Sequence, residues 1–470
     1  MNTELYTESN RQWPRWLLFF LVLFISTDAN SQMDGQSDAF MIRAIYDDAL
    51  TQSSAYDWLT HLSEEIGGRL AGSPESIEAV GYTSEKLRKL GSDSVWQQPC
   101  MVPRWQRKGP EKVVATTSNG ETFEVPSTTL GNSEGGKATG EIIEVHTLEE
   151  VDSLGPDVIA GKIVFYNRPM DPTHVRTFWA YGGAVDQRGR GPAVASRNGA
   201  VGCLVRSMTT RLDDVPHSGM TRYYEKESHI PSMAISTNAA DRLSDLLDEG
   251  PVTVSMENYS RLLPDTMSYS VIAEIKGSVY PDSILLVGGH LDSWDLGGGA
   301  HDDGAGCVQS MAVLEIFKNL GYKPRHTLRC VLFMNEENGL GGALTYADSS
   351  RSQGLFHLAA LESDSGGFTP RGFRADGHED VLQDKFKTMY SWLPLLEPYG
   401  LTMSVGGSGA DVGRLKDEKG LLLGLRTDSQ RYFDYHHTTI DRIQAVNKRE
   451  LELGAAAMAS LIYLIDQHGI

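Results

Sequence analysis

The chain has 470 residues, 40% of them hydrophobic, which is enough for two or three domains with buried cores and excludes a mainly disordered protein. Lys and Arg number 42 against 62 Asp and Glu, and the resulting net charge of −20 argues against nucleic acid as a partner. Four cysteines without a Cys-x-x-Cys pair exclude both a disulfide scaffold and a cysteine-based zinc site.

The first thirty residues have the pattern of a signal peptide. Two arginines precede an unbroken apolar run over residues 16–25, and the small residues Ala29 and Ser31 follow it. A stable membrane helix needs about 20 apolar residues, so this run is too short. We expect residues 1–31 to be a cleaved signal peptide, the mature protein to be secreted, periplasmic or luminal, and the chain to have no stable membrane span.

Residues 33–114 are expected to form the N-terminal part of a larger domain, with residues 38–91 helical. Apolar residues recur at helical spacing over 40–50 and again over 58–66. Ser73 followed by Pro74 is typical of a helix start, with Ser73 as the N-cap residue.

Residues 115–262 have a different texture and are expected to form a separate β-rich insert. Short apolar runs punctuated by Gly, Pro and Asp predict strands at 141–145, 162–166, 202–206, 232–235 and 252–256. The segment has no tight cluster of His and carboxylate residues. We therefore expect it to shape access to a site or to form subunit contacts, and not to carry chemistry itself.

Residues 263–470 alternate between strand and helix patterns. Strands are predicted at 283–287, 327–334, 358–361 and 420–425, and helices at 305–319, 341–348, 381–396 and 446–465. This alternation predicts an α/β sheet with helices on both faces, in which a ligand site lies beyond the carboxyl ends of the strands.

Potential metal ligands recur where these strands end. They are His290 and Asp292, Asp302, Glu336 and Glu337, Asp364, and the pair His436 and His437. A segment of this kind, taken alone, is more often a turn, a helix cap or a solvated loop than a functional site. The occurrence of all of them at the strand ends of one sheet is hard to explain by structural roles alone. Nitrogen and oxygen donors without thiolates suit zinc.

The spacing also suggests individual roles. Asp292 follows His290 by two residues, so its carboxylate would accept the second imidazole N–H and fix the tautomer. Adjacent side chains diverge on an extended chain. One of Glu336 and Glu337 would therefore bind metal, and the other would point elsewhere and act as a general base on a water molecule.

Four of these segments resemble the motifs of the superfamily of co-catalytic zinc aminopeptidases and glutamate carboxypeptidases. They are Gly289-His-Leu-Asp-Ser-Trp-Asp295, Gly299-Ala-His-Asp-Asp-Gly-Ala-Gly306, Asn335-Glu-Glu-Asn-Gly-Leu340 and Glu362-Ser-Asp364, and the segment Gly67-Gly-Arg-Leu-Ala-Gly-Ser73 adds to the likeness. The resemblance covers nearly the whole mature chain. It implies a mixed-sheet α/β zinc-peptidase domain of the phosphorylase/hydrolase-like type, catalytic over 263–470, and a protease-associated-like insert over 115–262. It also implies a homodimer.

The resemblance further assigns the site. It implies that His290 and Asp364 bind one zinc ion, that Glu337 and His437 bind a second, and that Asp302 bridges both. Glu336 would be the general base for a zinc-bridged water, Asp292 would orient His290, and the Asp302–Asp303 peptide bond would be cis. His437 is preferred to His436 because it precedes Asp441 by four residues, the spacing usual in the family.

The implied activity is that of a zinc exopeptidase, a dipeptidase or carboxypeptidase that hydrolyses dipeptides or short peptides with unblocked termini. An aminopeptidase acting on longer peptides is the alternative, and a receptor-like protein without catalysis is a third hypothesis. The loop Gly406-Gly-Ser-Gly-Ala-Asp411 lines the substrate pocket in this family, although such a loop also caps helices. The four cysteines, Cys100, Cys203, Cys307 and Cys330, would either pair in an oxidising compartment or remain as buried thiols.

Overall fold

A computed structural model of the chain describes residues 35–224 and 227–470, so the predicted signal peptide lies outside the described residues. The chain divides into two units, Met1–Ala44 and Ile45–Ile470. In the first unit, residues 35–44 are helical and belong to helix α1, which extends over 35–51. The second unit contains two eight-stranded sheets. Within the described ranges, every helix lacks the length or the apolarity needed to cross a membrane.

The first sheet carries the strand–helix alternation. In spatial order its strands are β1 (Ser94–Gln106), β10 (Arg261–Ile275), β12 (His326–Phe333), β11 (Tyr280–His290), β13 (Phe356–Glu362), β16 (Leu421–Thr427), β14 (Pro370–Gly377) and β15 (Thr402–Val405). The neighbours β12, β11, β13 and β16 are parallel. Their carboxyl ends therefore meet at one edge of the sheet, the place where α/β sheets bind ligands.

Helices connect and cover these strands. Outside the second sheet they are α2 (Ala55–Thr60), α3 (Pro74–Lys89), α10 (Ala305–Asn319), α11 (Gly341–Gln353), α12 (Glu379–Tyr390), α13 (Leu393–Leu396), α14 (Tyr432–Tyr435) and α15 (Lys448–His468). Helix α3 begins as predicted: Pro74 is its first residue, and the Ser73 side chain accepts a hydrogen bond from the main-chain N of Ser76.

The first sheet is buried on both faces. On one face, Tyr346 of α11 packs with Leu286 and Phe333 in an apolar cluster. On the other face, Gly289 lies against α10, since a Cβ atom at this position would be only 2.9 Å from the carbonyl carbon of Gly306. Burial on both faces explains why the parallel strands are continuous apolar runs in the sequence.

The second sheet lies between β1 and β10 in the sequence. Its spatial order is β3 (Thr122–Glu124), β2 (Lys112–Thr117), β9 (Val252–Asn258), β5 (Gly136–Val145), β6 (Ile163–Tyr166), β7 (Gly202–Arg206), β8 (Ser232–Ile235) and β4 (Ser127–Thr129). The predicted strands at 202–206 and 232–235 are confirmed to the residue. The domain boundaries at 114/115 and 262/263 stay predictions.

The region of the second sheet contains more helix than its β-rich sequence texture indicated. Its helices are α4 (Leu148–Leu154), α5 (Pro156–Ile159), α6 (Thr177–Gly182), α7 (Asp186–Gly189), α8 (Gly191–Arg197) and α9 (Thr237–Glu249). Most of them are too short to show a helical period. Helix α9 is longer, and its Ala240 and Leu243 pack against Phe165 and Leu204 of the sheet. All four cysteines of the chain are buried and free.

Candidate metal centre

The five predicted ligands collect at the carboxyl edge of the four parallel strands. His290 is the last residue of β11, and Asp302 follows in the turn before α10. Glu337 lies four residues beyond β12, Asp364 lies two residues beyond β13, and His437 follows β16 and the short helix α14. The topology thus brings together side chains from well-separated parts of the sequence.

Asp302 lies between two imidazole rings. Its Oδ1 is 3.2 Å from Nε2 of His290, and its Oδ2 is 3.2 Å from Nε2 of His437. On the first side, Oδ1 of Asp364 is 3.7 Å from the same His290 nitrogen, and on the second side Oε2 of Glu337 is 3.0 Å from the same His437 nitrogen. Two groups of donor atoms therefore share one carboxylate, with one oxygen facing each group.

His436 also approaches the shared carboxylate. Its Nε2 is 3.7 Å from Oδ2 of Asp302, and its ring stacks on that of His437 with 3.5 Å between centroids. Asp302, His436 and His437 form one group that could hold a cation, and His290, Asp302 and Asp364 form another. Because His437 is the closer histidine to Asp302 and also contacts Glu337, the distances favour His437 as the ligand.

Buried carboxylates hold the turn that carries Asp302. The peptide bond between Asp302 and Asp303 is cis, as the resemblance implied. Asp303 accepts a hydrogen bond from the main-chain N of His290 at 3.0 Å, and Asp441 accepts from the main-chain N atoms of His301 and Asp302 at 2.8 and 3.2 Å. Burial raises the pKa of Asp441 to about 7 and that of Asp303 well above its ordinary value. These acids fix the backbone from which the central ligand projects.

The role predicted for the Asp292 carboxylate needs a correction. Nδ1 of His290 makes its hydrogen bond with the main-chain oxygen of Asp292, at 2.9 Å, whereas Oδ1 of Asp292 is 4.0 Å away. The carboxylate instead accepts from the main-chain N atoms of Asn335 and Glu336, at 2.6 and 3.0 Å. Asp292 therefore orients the histidine through its backbone, because its side chain is engaged in holding the segment with the paired glutamates.

Glu336 lies beside the two donor groups without belonging to either. Its half-buried side chain lines a cavity of about 440 Å³ together with Asp302, Glu337 and Asp364. Burial raises the pKa of Glu336 to about 8, and the charges of Asp364 and Glu337 act in the same direction. In this place a carboxylate can take a proton from, and return it to, a molecule held between the ligands.

The donor atoms fit divalent cations. Within the described part of the chain, Oδ2 of Asp302 and Oε1 of Glu337 are buried and accept no hydrogen bond. Although burial alone would raise it, the pKa of Asp302 is held well below its ordinary value by the nearby imidazoles of His290 and His437. The carboxylates in turn raise the pKa of His437 to about 9 against the effect of burial. A zinc ion bound there would supply positive charge that offsets these carboxylates.

The region of the second sheet contributes residues that the sequence did not indicate. The guanidinium of Arg188 lies 3.3 Å from Nδ1 of His437, and the OH of Tyr181 accepts a hydrogen bond from Arg188 at 2.8 Å. The main-chain N of Ser218 donates to the main-chain oxygen of His437 at 2.9 Å. This region therefore contacts a candidate ligand directly. The sequence carries no signal for these contacts, because they depend on how distant segments pack.

Arg69 was also missed as part of the site, although its segment contributed to the resemblance. Its side chain is fully buried and donates to three main-chain oxygens: Nε to Leu291 at 2.6 Å, and the terminal nitrogens to Gly298 at 2.8 Å and Gly299 at 3.0 Å. Gly299 adopts a left-handed conformation with φ of 53°. Arg69 therefore holds the loop that joins His290 to Asp302.

The sequence is similar to those of known peptidases. The profile of Peptidase family M28 matches residues 270–462, the range that contains all five candidate ligands. Carboxypeptidase Q from Bos taurus is 31% identical over 420 residues, which are 88% of this chain and 85% of that protein.

Two solved structures share the fold. A peptidase M28 precursor from Shewanella amazonensis SB2B has a TM-score of 0.86 and 33% identity, covering 92% of this chain and 97% of its own. BSAP, a zinc aminopeptidase from Bacillus subtilis, has a TM-score of 0.61 and 18% identity, covering 88% of this chain and 96% of its own. At this identity the second likeness concerns the fold alone.

Proposed function

Since the chain belongs to peptidase family M28 and is a zinc metallo-exopeptidase, we propose that it is a di-zinc exopeptidase that hydrolyses dipeptides or short peptides with unblocked termini. The likeness to carboxypeptidase Q over most of both chains supports this activity. The observation that carries the proposal is the position of Asp302, whose two oxygens each lie 3.2 Å from the imidazole of a different donor group.

The proposed ligands divide into two sets. His290 and Asp364 would hold one zinc ion, Glu337 and His437 would hold the other, and Asp302 would serve both. Zinc bound there would supply Lewis acidity and lower the pKa of a bound water. The two sets are supported by the approach of Asp364 to His290 at 3.7 Å and of Glu337 to His437 at 3.0 Å.

Glu336 has the proposed role of general base and acid. Its neighbour Glu337 contacts His437, while Glu336 belongs to neither donor group and lines the cavity in which a substrate would lie. Glu336 would accept a proton from the attacking water and pass it to the leaving amine. Zinc bound by the neighbouring ligands would supply the positive charge that favours the ionised carboxylate, which the first of these transfers requires.

An aminopeptidase acting on longer peptides is the second candidate, supported by the motifs at residues 289–306, 335–340 and 362–364, which resemble those of zinc aminopeptidases as well as those of glutamate carboxypeptidases. A dipeptide satisfies both descriptions, because its single bond is next to both termini. Comparison of free, N-blocked and C-amidated dipeptides separates them. A dipeptidase loses activity on both modified peptides, whereas an aminopeptidase keeps activity on the amide.

Replacement of Glu336 by Gln tests the mechanism. The amide cannot accept the proton, so we expect kcat to fall by about 100- to 10,000-fold, with zinc content unchanged by elemental analysis. Glu379→Gln, an exposed position at the start of α12, is the matched control and keeps full activity. A Glu336→Gln protein with near-normal turnover contradicts the assignment.

Further properties are proposed on the sequence pattern and the resemblance alone. These are the homodimer, the cleaved signal peptide over residues 1–31 with a secreted, periplasmic or luminal location, and the protease-associated character of the insert over 115–262. The apolar run at 16–25 supports the signal peptide.

A further inference from the structure

The two proposed zinc-binding histidines differ in what their second ring nitrogen contacts. Nδ1 of His290 lies 2.9 Å from the main-chain oxygen of Asp292, which can accept a hydrogen bond. Nδ1 of His437 instead lies 3.3 Å from Nη1 of Arg188. A guanidinium group has five N–H donors and no acceptor. One imidazole therefore faces an acceptor, and the other faces a donor that carries a positive charge.

This difference matters for a metal ligand. A histidine that binds zinc through Nε2 carries its hydrogen on Nδ1, and this N–H is usually donated to a carboxylate, a carbonyl oxygen or a water, which raises the basicity of the ligand. The carbonyl oxygen of Asp292 gives His290 this support. At His437 the Nδ1–H would meet an N–H of Arg188, so the hydrogen bond that strengthens a zinc ligand is missing there.

The position of Arg188 is fixed by its surroundings. Its side chain is buried, and it donates to the main-chain oxygen of Ser218 at 3.3 Å and to the OH of Tyr181 at 2.8 Å. At Gly219 a Cβ atom would be only 2.7 Å from Nε of Arg188, so glycine makes room for the guanidinium group. The main-chain N of Ser218 also donates to the main-chain oxygen of His437 at 2.9 Å. One segment therefore holds both the arginine and the histidine.

The charge of Arg188 is not neutralised by an ion pair. Among the described residues its guanidinium group contacts no carboxylate, and its Nε is buried without a hydrogen-bond partner. Arg190, two residues further along the chain, differs because it pairs with Glu227 at 3.0 Å. Arg188 lines the same cavity as Asp302 and Glu337. Its charge therefore acts on the candidate metal centre itself.

We propose that Arg188 lowers the zinc affinity of the set formed by Glu337 and His437, and so makes this the weaker and more readily exchanged of the two zinc sites. The inference rests on the proposed di-zinc function and adds to it a residue of the second sheet's region that tunes one site. Arginine stays protonated in proteins, so its charge always opposes a cation bound on the other side of the imidazole ring. Arg188 acts through His437 and is not itself a ligand.

The zinc content at graded free zinc concentrations tests this inference. The full chain is dialysed against buffers of decreasing free zinc, and bound zinc is counted by elemental analysis. We expect the wild type to lose zinc in two steps, the weaker of which is absent in His437→Ala. Arg188→Met keeps an unbranched apolar stem but removes the charge, so the weaker step should move to about 10- to 100-fold lower free zinc. The tighter step should stay in place.

Two further variants show whether the charge is responsible. Arg188→Lys keeps a positive charge beside the ring and should retain both steps of the wild type. Arg197→Met removes an exposed arginine of α8 that pairs with Asp152, and should leave both steps unchanged. A merely structural role of Arg188 predicts the opposite direction in Arg188→Met, since a loosened site binds zinc more weakly.

The outcomes separate this inference from the proposed function. A wild-type chain that binds fewer than two zinc ions contradicts the proposed function, and the inference falls with it. If the wild type binds two zinc ions, the inference alone is overturned by any of three results in the variants. These are a weaker step that stays in place in Arg188→Met, a weaker step that moves to higher free zinc, and an equal shift in Arg188→Lys.

Discussion

At the scale of single residues, the position of Asp302 decides whether the centre is one metal site or two. Oδ1 of this carboxylate faces His290 and Oδ2 faces His437, each at 3.2 Å, so the two oxygens face different donor groups. Main-chain hydrogen bonds to Asp303 and Asp441 fix this orientation. Because the carboxylate is only 5% exposed, an ionised form requires positive charge on both sides.

The two adjacent histidines provide a residue-scale prediction. His437→Ala removes the nitrogen that contacts both Asp302 and Glu337, so we expect elemental analysis to find about one zinc ion fewer per chain and kcat/KM to collapse. His436→Ala removes the more distant ring and serves as the matched control, with zinc content unchanged. A loss of zinc in His436→Ala but not in His437→Ala would show that His436 is the ligand. The spacing to Asp441 would then not identify the ligand.

At the scale of elements, the centre depends on loops that four parallel strands and one buried arginine hold in place. The strands β12, β11, β13 and β16 supply a rigid edge, but the loop between His290 and Asp302 has neither helix nor strand over residues 291–299. Arg69 replaces the missing regular hydrogen bonds by donating to three carbonyl oxygens of this loop. The N-terminal segment is therefore part of the centre although it supplies no ligand.

The Arg69→Lys variant tests this role. An ammonium group cannot reach three carbonyls in a planar fork, so the loop loses support while its charge is kept. We expect the dissociation constant for zinc, measured by competition with a chelator, to rise about 10- to 100-fold, as for other groups that position ligands. Arg88→Lys, on the exposed side of α3, should bind zinc like the wild type. If the Arg69 variant binds zinc with unaltered affinity, Arg69 supports the fold but does not position the ligands.

The success of sequence reasoning also differed between elements. Helix α10 and strand β7 were predicted to the residue because a long buried helix and a short apolar strand give clear patterns. The candidate ligands could be predicted as a group because each lies at or beyond the carboxyl end of one of the parallel strands. The acceptor for His290 was assigned to the wrong atom of Asp292, because sequence spacing does not reveal which oxygen a turn presents. The contact between Arg188 and His437 depends on packing across 249 residues of chain, which no local pattern encodes.

At the scale of the whole molecule, the negative charge has two roles. Most of the 62 acidic residues contribute only to solubility, but a group of them is buried around Asp302 and needs cations to balance it. The three arginines at 176, 374 and 426 line a single cavity beside this centre, although the net charge of the chain is negative. The chain thus combines an acidic region that suits metal ions with a basic group of side chains in the adjoining cavity.

The most direct test of the account is the zinc content of the intact chain, measured by elemental analysis alongside dipeptide hydrolysis. The account predicts two zinc ions per chain in the active wild-type protein, and fewer than two in Asp302→Asn, because the amide cannot carry the negative charge that both groups share. A wild-type chain that hydrolyses dipeptides at full rate with a single zinc ion would contradict it.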